Sequence, residues 1–147
     1  NVISFNAAIS ACEKGQQWEQ ALQLLDEMRR YSVEPDVVSF SAAISACEKG
    51  GQWKIALELL QEMQQNGVKP NVISFNAAIS ACEKGQQWEQ ALQLLDEMRR
   101  YSVEPDVVSF SAAISACEKG GQWKIALELL QEMQQNGVKP NVISFNA

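Results

Sequence analysis

The chain of 147 residues carries 18 acidic and 12 basic side chains, a net charge of −6. With 46% hydrophobic and 20% charged residues it has the composition of a folded protein, and its longest stretch without a charge, the 13 residues from Pro70 to Cys82, is far shorter than the roughly 20 apolar residues a membrane span needs. The absence of histidine excludes Ser-His-Asp and Cys-His catalytic arrangements and every His-containing zinc site.

In chain order, Phe5, Ala8, Ile9 and Cys12 fall at i, i+3, i+4 and i+7 and predict a first helix, A. Read alone, Val2-Ile3-Ser4-Phe5 resembles a strand, but the window running on through Ala7-Ala8-Ile9 favours helix. Lys14-Gly15-Gln16 interrupts the stripe. Trp18, Ala21, Leu22, Leu25 and Met28 then predict a second helix, B, ending near Arg30. The stop is Tyr31 to Pro35, or Asn66-Gly67-Val68-Lys69-Pro70 in the alternate unit, where glycine permits a left-handed C-cap and proline cannot continue a helix. Asp36 or Asn71 caps the helix A that follows.

Residues 71–140 repeat residues 1–70 letter for letter, and Asn1–Pro35 agrees with Asp36–Pro70 at 22 of 35 positions. The period is therefore 35, with four units and a seven-residue restart, NVISFNA, from Asn141 to Ala147. A two-helix unit this small cannot bury its apolar stripes alone, so the units must stack into an α-solenoid. Neither end carries a polar capping unit, and Val142–Ala147 opens a fifth helix A. Two arrangements follow as expectations: the chain is a window on a longer array, or chains stack end to end through their uncapped termini. The letter-perfect duplication fits an engineered array or a very recent duplication.

The unit V-x-S-F-[NS]-A-x-I-x-A-C-x-K…A-L-x-L-L-x-E-M…G-V-K-P-[DN] resembles the pentatricopeptide repeat over the whole chain, with repeats at 2–36, 37–71, 72–106 and 107–141 and a partial one at 142–147. The tetratricopeptide pattern fails, because Trp18 and Trp53 are followed three residues later by Ala21 and Ala56. The resemblance implies an all-α, right-handed α-α superhelix of helix-turn-helix repeats that binds single-stranded RNA, one base per repeat, with helices A lining the concave groove. It implies base recognition by the fifth residues Asn6, Ser41, Asn76 and Ser111 with the last residues Asp36, Asn71, Asp106 and Asn141. The second residues Ile3, Val38, Ile73 and Val108 would sandwich the bases. By the family's pairing rule the target is 5′-UAUA-3′. Lys14, Lys49, Lys84 and Lys119, at the end of each helix A, would face the RNA phosphates. A mitochondrial or plastid location also follows from the resemblance; a binding role without catalysis, cofactor or metal is expected because no acid/base pair, nucleophile–base pair or phosphate-cradling glycine loop stands out from the repeat.

The residues themselves are consistent with such a code. Asp only accepts, Asn donates and accepts, and Ser does either, so pairs of them can discriminate the edges of unstacked bases. Between Val2 and Lys14 the two unit types differ only at Ile3/Val38 and Asn6/Ser41, the positions to which the family assigns base reading. Plainer roles compete. Asp36 and Asn71 are good caps, the lysines complement helix C-termini, and Glu13, Glu48, Glu83 and Glu118 lie beside those lysines about 100° around the helix and dilute their potential. Asn1–Pro35 holds three basic against five acidic residues and Asp36–Pro70 three against four, so a wholly basic groove is not in evidence. A protein- or peptide-binding scaffold is the alternative this acidity favours. Cys12, Cys47, Cys82 and Cys117 read as small buried hydrophobes, with no CxxC pair for zinc and a reducing compartment implied. Trp18, Trp53, Trp88 and Trp123, with Met28 and Met63, read as packing between units.

Overall fold

The computed structural model describes residues 1–138, so expectations that fall on Asn141 and on Val142–Ala147 lie outside the described residues. Among the described residues eight helices of 13 residues succeed one another: α1 (Val2–Lys14), α2 (Trp18–Arg30), α3 (Val37–Lys49), α4 (Trp53–Gln65), α5 (Val72–Lys84), α6 (Trp88–Arg100), α7 (Val107–Lys119) and α8 (Trp123–Gln135). Odd-numbered helices are the A helices and even-numbered ones the B helices. No strand occurs among the described residues, and Val2-Ile3-Ser4-Phe5 lies within α1.

Each internal A helix starts at a reciprocal cap. The side-chain oxygens of Asp36, Asn71 and Asp106 accept from the N–H of Ser39, Ser74 and Ser109, all at 3.0 Å, and the serine hydroxyls accept in turn from the caps' own N–H groups. This closes a capping box with serine in the place more often taken by Glu or Gln. The B helices have no side-chain cap; they are held by the preceding turn, where the N–H of Gln17, Gln52, Gln87 and Gln122 reaches a cysteine carbonyl of helix A at 2.8 Å.

The expected glycine C-cap needs a division of labour. Left-handed backbone falls at Gln16 or Gly51 in the A–B turn and at Ser32 or Gly67 in the B–A turn, with Gly67 at φ 76° as the sequence predicts. The glycine common to all repeats does something else: Gly50 and Gly85 have φ of −87° and −85°. A Cβ on either would lie 2.3 Å from Cδ1 of Trp18 or Trp53. The indoles of α2, α4 and α6 are thus seated on the end of the next A helix, which is the packing between units expected of the tryptophans, whereas Trp123 of α8 is exposed.

Successive A helices pack on one another, and each internal B helix packs on its own A helix and on the next, whereas successive B helices stay further apart. The crowded A row therefore forms the inner, concave side of the stack. Across the looser outer row only long side chains reach: Arg29 pairs with Glu62, Arg99 with Glu132, and Gln64 donates to Glu97 at 2.8 Å. Phe40, Phe75, Phe110, Ile44, Ile79, Met28, Met63 and Met98 fill the seams with no exposed surface. Cys47, Cys82 and Cys117 are buried among them as free thiols. Burial pushes the Cys47 thiol up to about 11 and Cys82 to about 12, which keeps both protonated and inert.

Candidate nucleic-acid interface

The concave face is built from the first two turns of the A helices. Ile3, Val38, Ile73 and Val108 stand on it at 75%, 51%, 58% and 49% exposure, values that leave stiff β-branched side chains standing in solvent on an otherwise packed face. Between Val38 and Ile73 is a hollow of about 210 Å³ lined also by Ser41, Asn71 and Glu13. Between Ile73 and Val108 is a second, of about 280 Å³, lined by Asn76 and Glu48. Larger hollows of about 320 and 520 Å³ lie apart from these, one against Leu57, Gln61, Gln90 and Gln93 of the B helices and one beside Arg29, Pro35 and Glu62.

The two unit types furnish their slots differently. In the first, Asn6 Nδ2 donates to Asp36 Oδ1 at 3.0 Å, and the hydroxyl of Ser39 donates to Asn6 Oδ1 at 2.5 Å. The third repeats this with Asn76, Asp106 and Ser109 at the same distances. Burial works to raise the Asp36 carboxyl, but the Ser39 N–H, the Asn6 amide and the Val38 N–H together hold it below its ordinary 3.8. The same balance, with Ser109, Asn76 and Val108, lowers Asp106. Both are carboxylates at neutral pH, and a carboxylate only accepts.

In the second unit, Asn71 Oδ1 is taken by the Ser74 N–H, which leaves its NH₂ as the group it can offer. Ser41 is 6% exposed and its hydroxyl makes no hydrogen bond, a buried polar group without a partner. Its side chain is too short to reach across as Asn6 does. Ser111 occupies the same position in the fourth unit at 7% exposure, and its counterpart Asn141 lies outside the described residues.

The lysine row is tied rather than free. Lys49 pairs with Glu13, Lys84 with Glu48 and Lys119 with Glu83, each across the seam between successive A helices. The reading that set each glutamate about 100° away from its neighbouring lysine holds within one helix; the partner is the lysine of the next repeat. Lys14 is exposed at the end of α1. Sequence reasoning also missed Ser39 and Ser109. Their signal was the serine at the third position of every repeat, legible as a capping residue but silent about its second contact.

A family model described as pentatricopeptide repeat domain matches residues 23–84 and 93–147, and one described as PPR repeat matches 3–33 and 73–103. No curated protein sequence matches the chain. Among solved structures, PPR10 in complex with an 18-nt psaJ RNA element is 28% identical with a TM-score of 0.87, over 99% of this chain and 21% of that one. PPR10 from maize gives 28% and 0.78 over the same shares. Nuclear proteinaceous RNase P 2 from A. thaliana, at 16% identity and a TM-score of 0.79 over 97% of this chain and 32% of that one, is alike in fold alone. The chain therefore spans about a fifth of the length of PPR10.

Proposed function

The chain belongs to the pentatricopeptide repeat family, and on that footing we propose that its concave face binds single-stranded RNA, one base per repeat, reading 5′-UAUA-3′. The observation that carries this is the paired hollow between Val38, Ile73 and Val108, each bounded by two β-branched walls and holding a fifth residue at its floor. RNA bound to PPR10 at 28% identity supports the ligand class.

The base preferences follow from donor and acceptor logic. Asp36 and Asp106 present acceptors, which suit a base whose ring nitrogen carries a proton, uracil or guanine; Asn6 and Asn76 extend into the slot and keep one Nδ2 hydrogen for a base oxygen, and their length suits the smaller pyrimidine. Asn71 offers NH₂ donors, which suit the bare ring nitrogen of adenine or cytosine, and the short Ser41 leaves room for the purine while its unpaired hydroxyl gains a partner. Asn141 would offer the same NH₂ donors beside Ser111 in the fourth repeat. Lys14, Lys49, Lys84 and Lys119 face the phosphates in this reading, and Glu13, Glu48 and Glu83 hold three of them in line until a phosphate takes over the ion pair.

The test is fluorescence anisotropy of labelled RNA carrying UAUA against a GCGC control at one fixed low salt concentration. Preference for UAUA is expected; equal affinities reject base reading, and a basic peptide that binds where neither RNA does would favour the scaffold alternative. Changing Lys14, Lys49, Lys84 and Lys119 to Gln should flatten the salt dependence of binding.

A further inference from the structure

We infer that Ser39 and Ser109, the third residues of the second and fourth repeats, are positioning residues for base reading by the repeats that precede them, so that recognition at one repeat is completed by a side chain of the next. This rests on the reading that Asn6 and Asn76 face bases. Each serine is fully buried and has one proton to give. It accepts from the N–H of its cap at 3.0 Å and gives the proton to Asn6 or Asn76 Oδ1 at 2.5 Å, a shorter contact than the 3.0 Å to the cap carboxylate. The amide is thereby fixed with oxygen toward serine and nitrogen toward aspartate. A flipped amide would set its oxygen against the carboxylate and its NH₂ against the hydroxyl proton. The donor that Asn offers the groove is thus chosen by two neighbours, and one of them lies 33 residues further along the chain.

The molecule contains its own control. Ser74 is equally buried and closes the same capping box, but its hydroxyl turns to the carbonyl of Asn71 at 2.9 Å and contacts no fifth residue, because Ser41 is too short to meet it. A purely structural serine would behave alike at 39, 74 and 109.

The experiment compares Ser39→Ala with Ser109→Ala, Ser74→Ala alone, and Ser39→Thr with Ser109→Thr, all in the full chain. Binding is measured to RNAs with U or C at the first and third nucleotides. The double alanine variant should lose about three- to tenfold of its preference for U over C at those two nucleotides. Threonine should restore it, and Ser74→Ala should leave it intact despite a similar loss of helix capping. Equal discrimination in all variants overturns the proposal. A readout without RNA separates it from the base-reading proposal: the side-chain NH₂ signals of Asn6 and Asn76 in NMR should exchange faster with solvent in the double alanine variant and be unchanged in Ser74→Ala. If the wild-type chain binds no RNA, base reading fails, while unchanged amide exchange in the double variant would still refute the positioning.

Discussion

The slot built on Asn6 and Asp36 and the slot built on Ser41 and Asn71 hang on the same backbone, yet one is wired before any ligand arrives and the other is not. In the first, amide, carboxylate and the Ser39 hydroxyl bond to one another. In the second, a buried hydroxyl has no partner. One backbone thus holds two polar arrangements through a change in side-chain length: Asn spans the gap and completes a network, whereas Ser leaves a buried hydroxyl unpaired.

The most damaging change should strike what both slots share, the seam. A methyl on Gly85 would lie 2.3 Å from Trp53 Cδ1, so Gly85→Ala should destabilise by about 1–3 kcal/mol through overpacking, read from the urea midpoint. At Gly15 the nearest contact of such a methyl is the Ala11 carbonyl at 3.3 Å, and Gly15→Ala should stay within about 1 kcal/mol of the parent. Equal effects at the two positions would remove the tryptophan as the reason for glycine.

Next in size are exchanges between the slots. Asn71→Asp replaces donors by acceptors and should move the second nucleotide from adenine toward guanine; Asp36→Asn does the reverse and should move the first from uracil toward cytosine. Each should be worth about 1–3 kcal/mol of discrimination, because the wrong base leaves a desolvated group unpaired. Anisotropy with singly substituted RNAs measures both. If only one exchange moves its base, the two slots do not share one logic.

The absence of RNA gives a smaller contrast of opposite sign. Ser41→Ala removes an unpaired buried hydroxyl and should stabilise the free chain by about 1 kcal/mol while weakening adenine binding. Asn6→Ala removes a donor on which the Asp36 carboxylate leans and should destabilise by about the same amount. Paired thermal melts decide it, and a loss of stability in both would mean that Ser41 is satisfied in solution.

How much of this was legible beforehand depends on the range of each interaction. Helix ends at Lys14 and Arg30 followed from stripes and breakers within one unit, because helical periodicity and capping act over a few residues. The proposed base-reading positions come from the resemblance alone, and the internal comparison singled out Asn6 and Ser41 as the places where the unit types differ. What stayed hidden were the links between units: Trp18 on Gly50, Lys49 to Glu13, Ser39 to Asn6. A 35-residue period says that units stack but not at what offset along the helix axis, and a shift of one turn would exchange every such partner. Hence Glu13 was read against Lys14, its neighbour in sequence, and not against Lys49.

The smallest expected effect turns on charge alone and separates the wired slots from the open one by pH. Asp36 and Asp106 titrate below their ordinary 3.8 in the folded chain, so the stability they contribute is complete above that value and is lost as pH falls through it toward the folded value. Asn71 has nothing to titrate. The parent should therefore lose more of its urea midpoint between about pH 5.5 and about pH 3 than the variant with Asp36→Asn and Asp106→Asn, in which the cap oxygens remain but the carboxylates do not. If the two losses coincide, the Asn amide and the cap do not favour the ionised form, and the prewiring of the first and third slots carries no electrostatic weight.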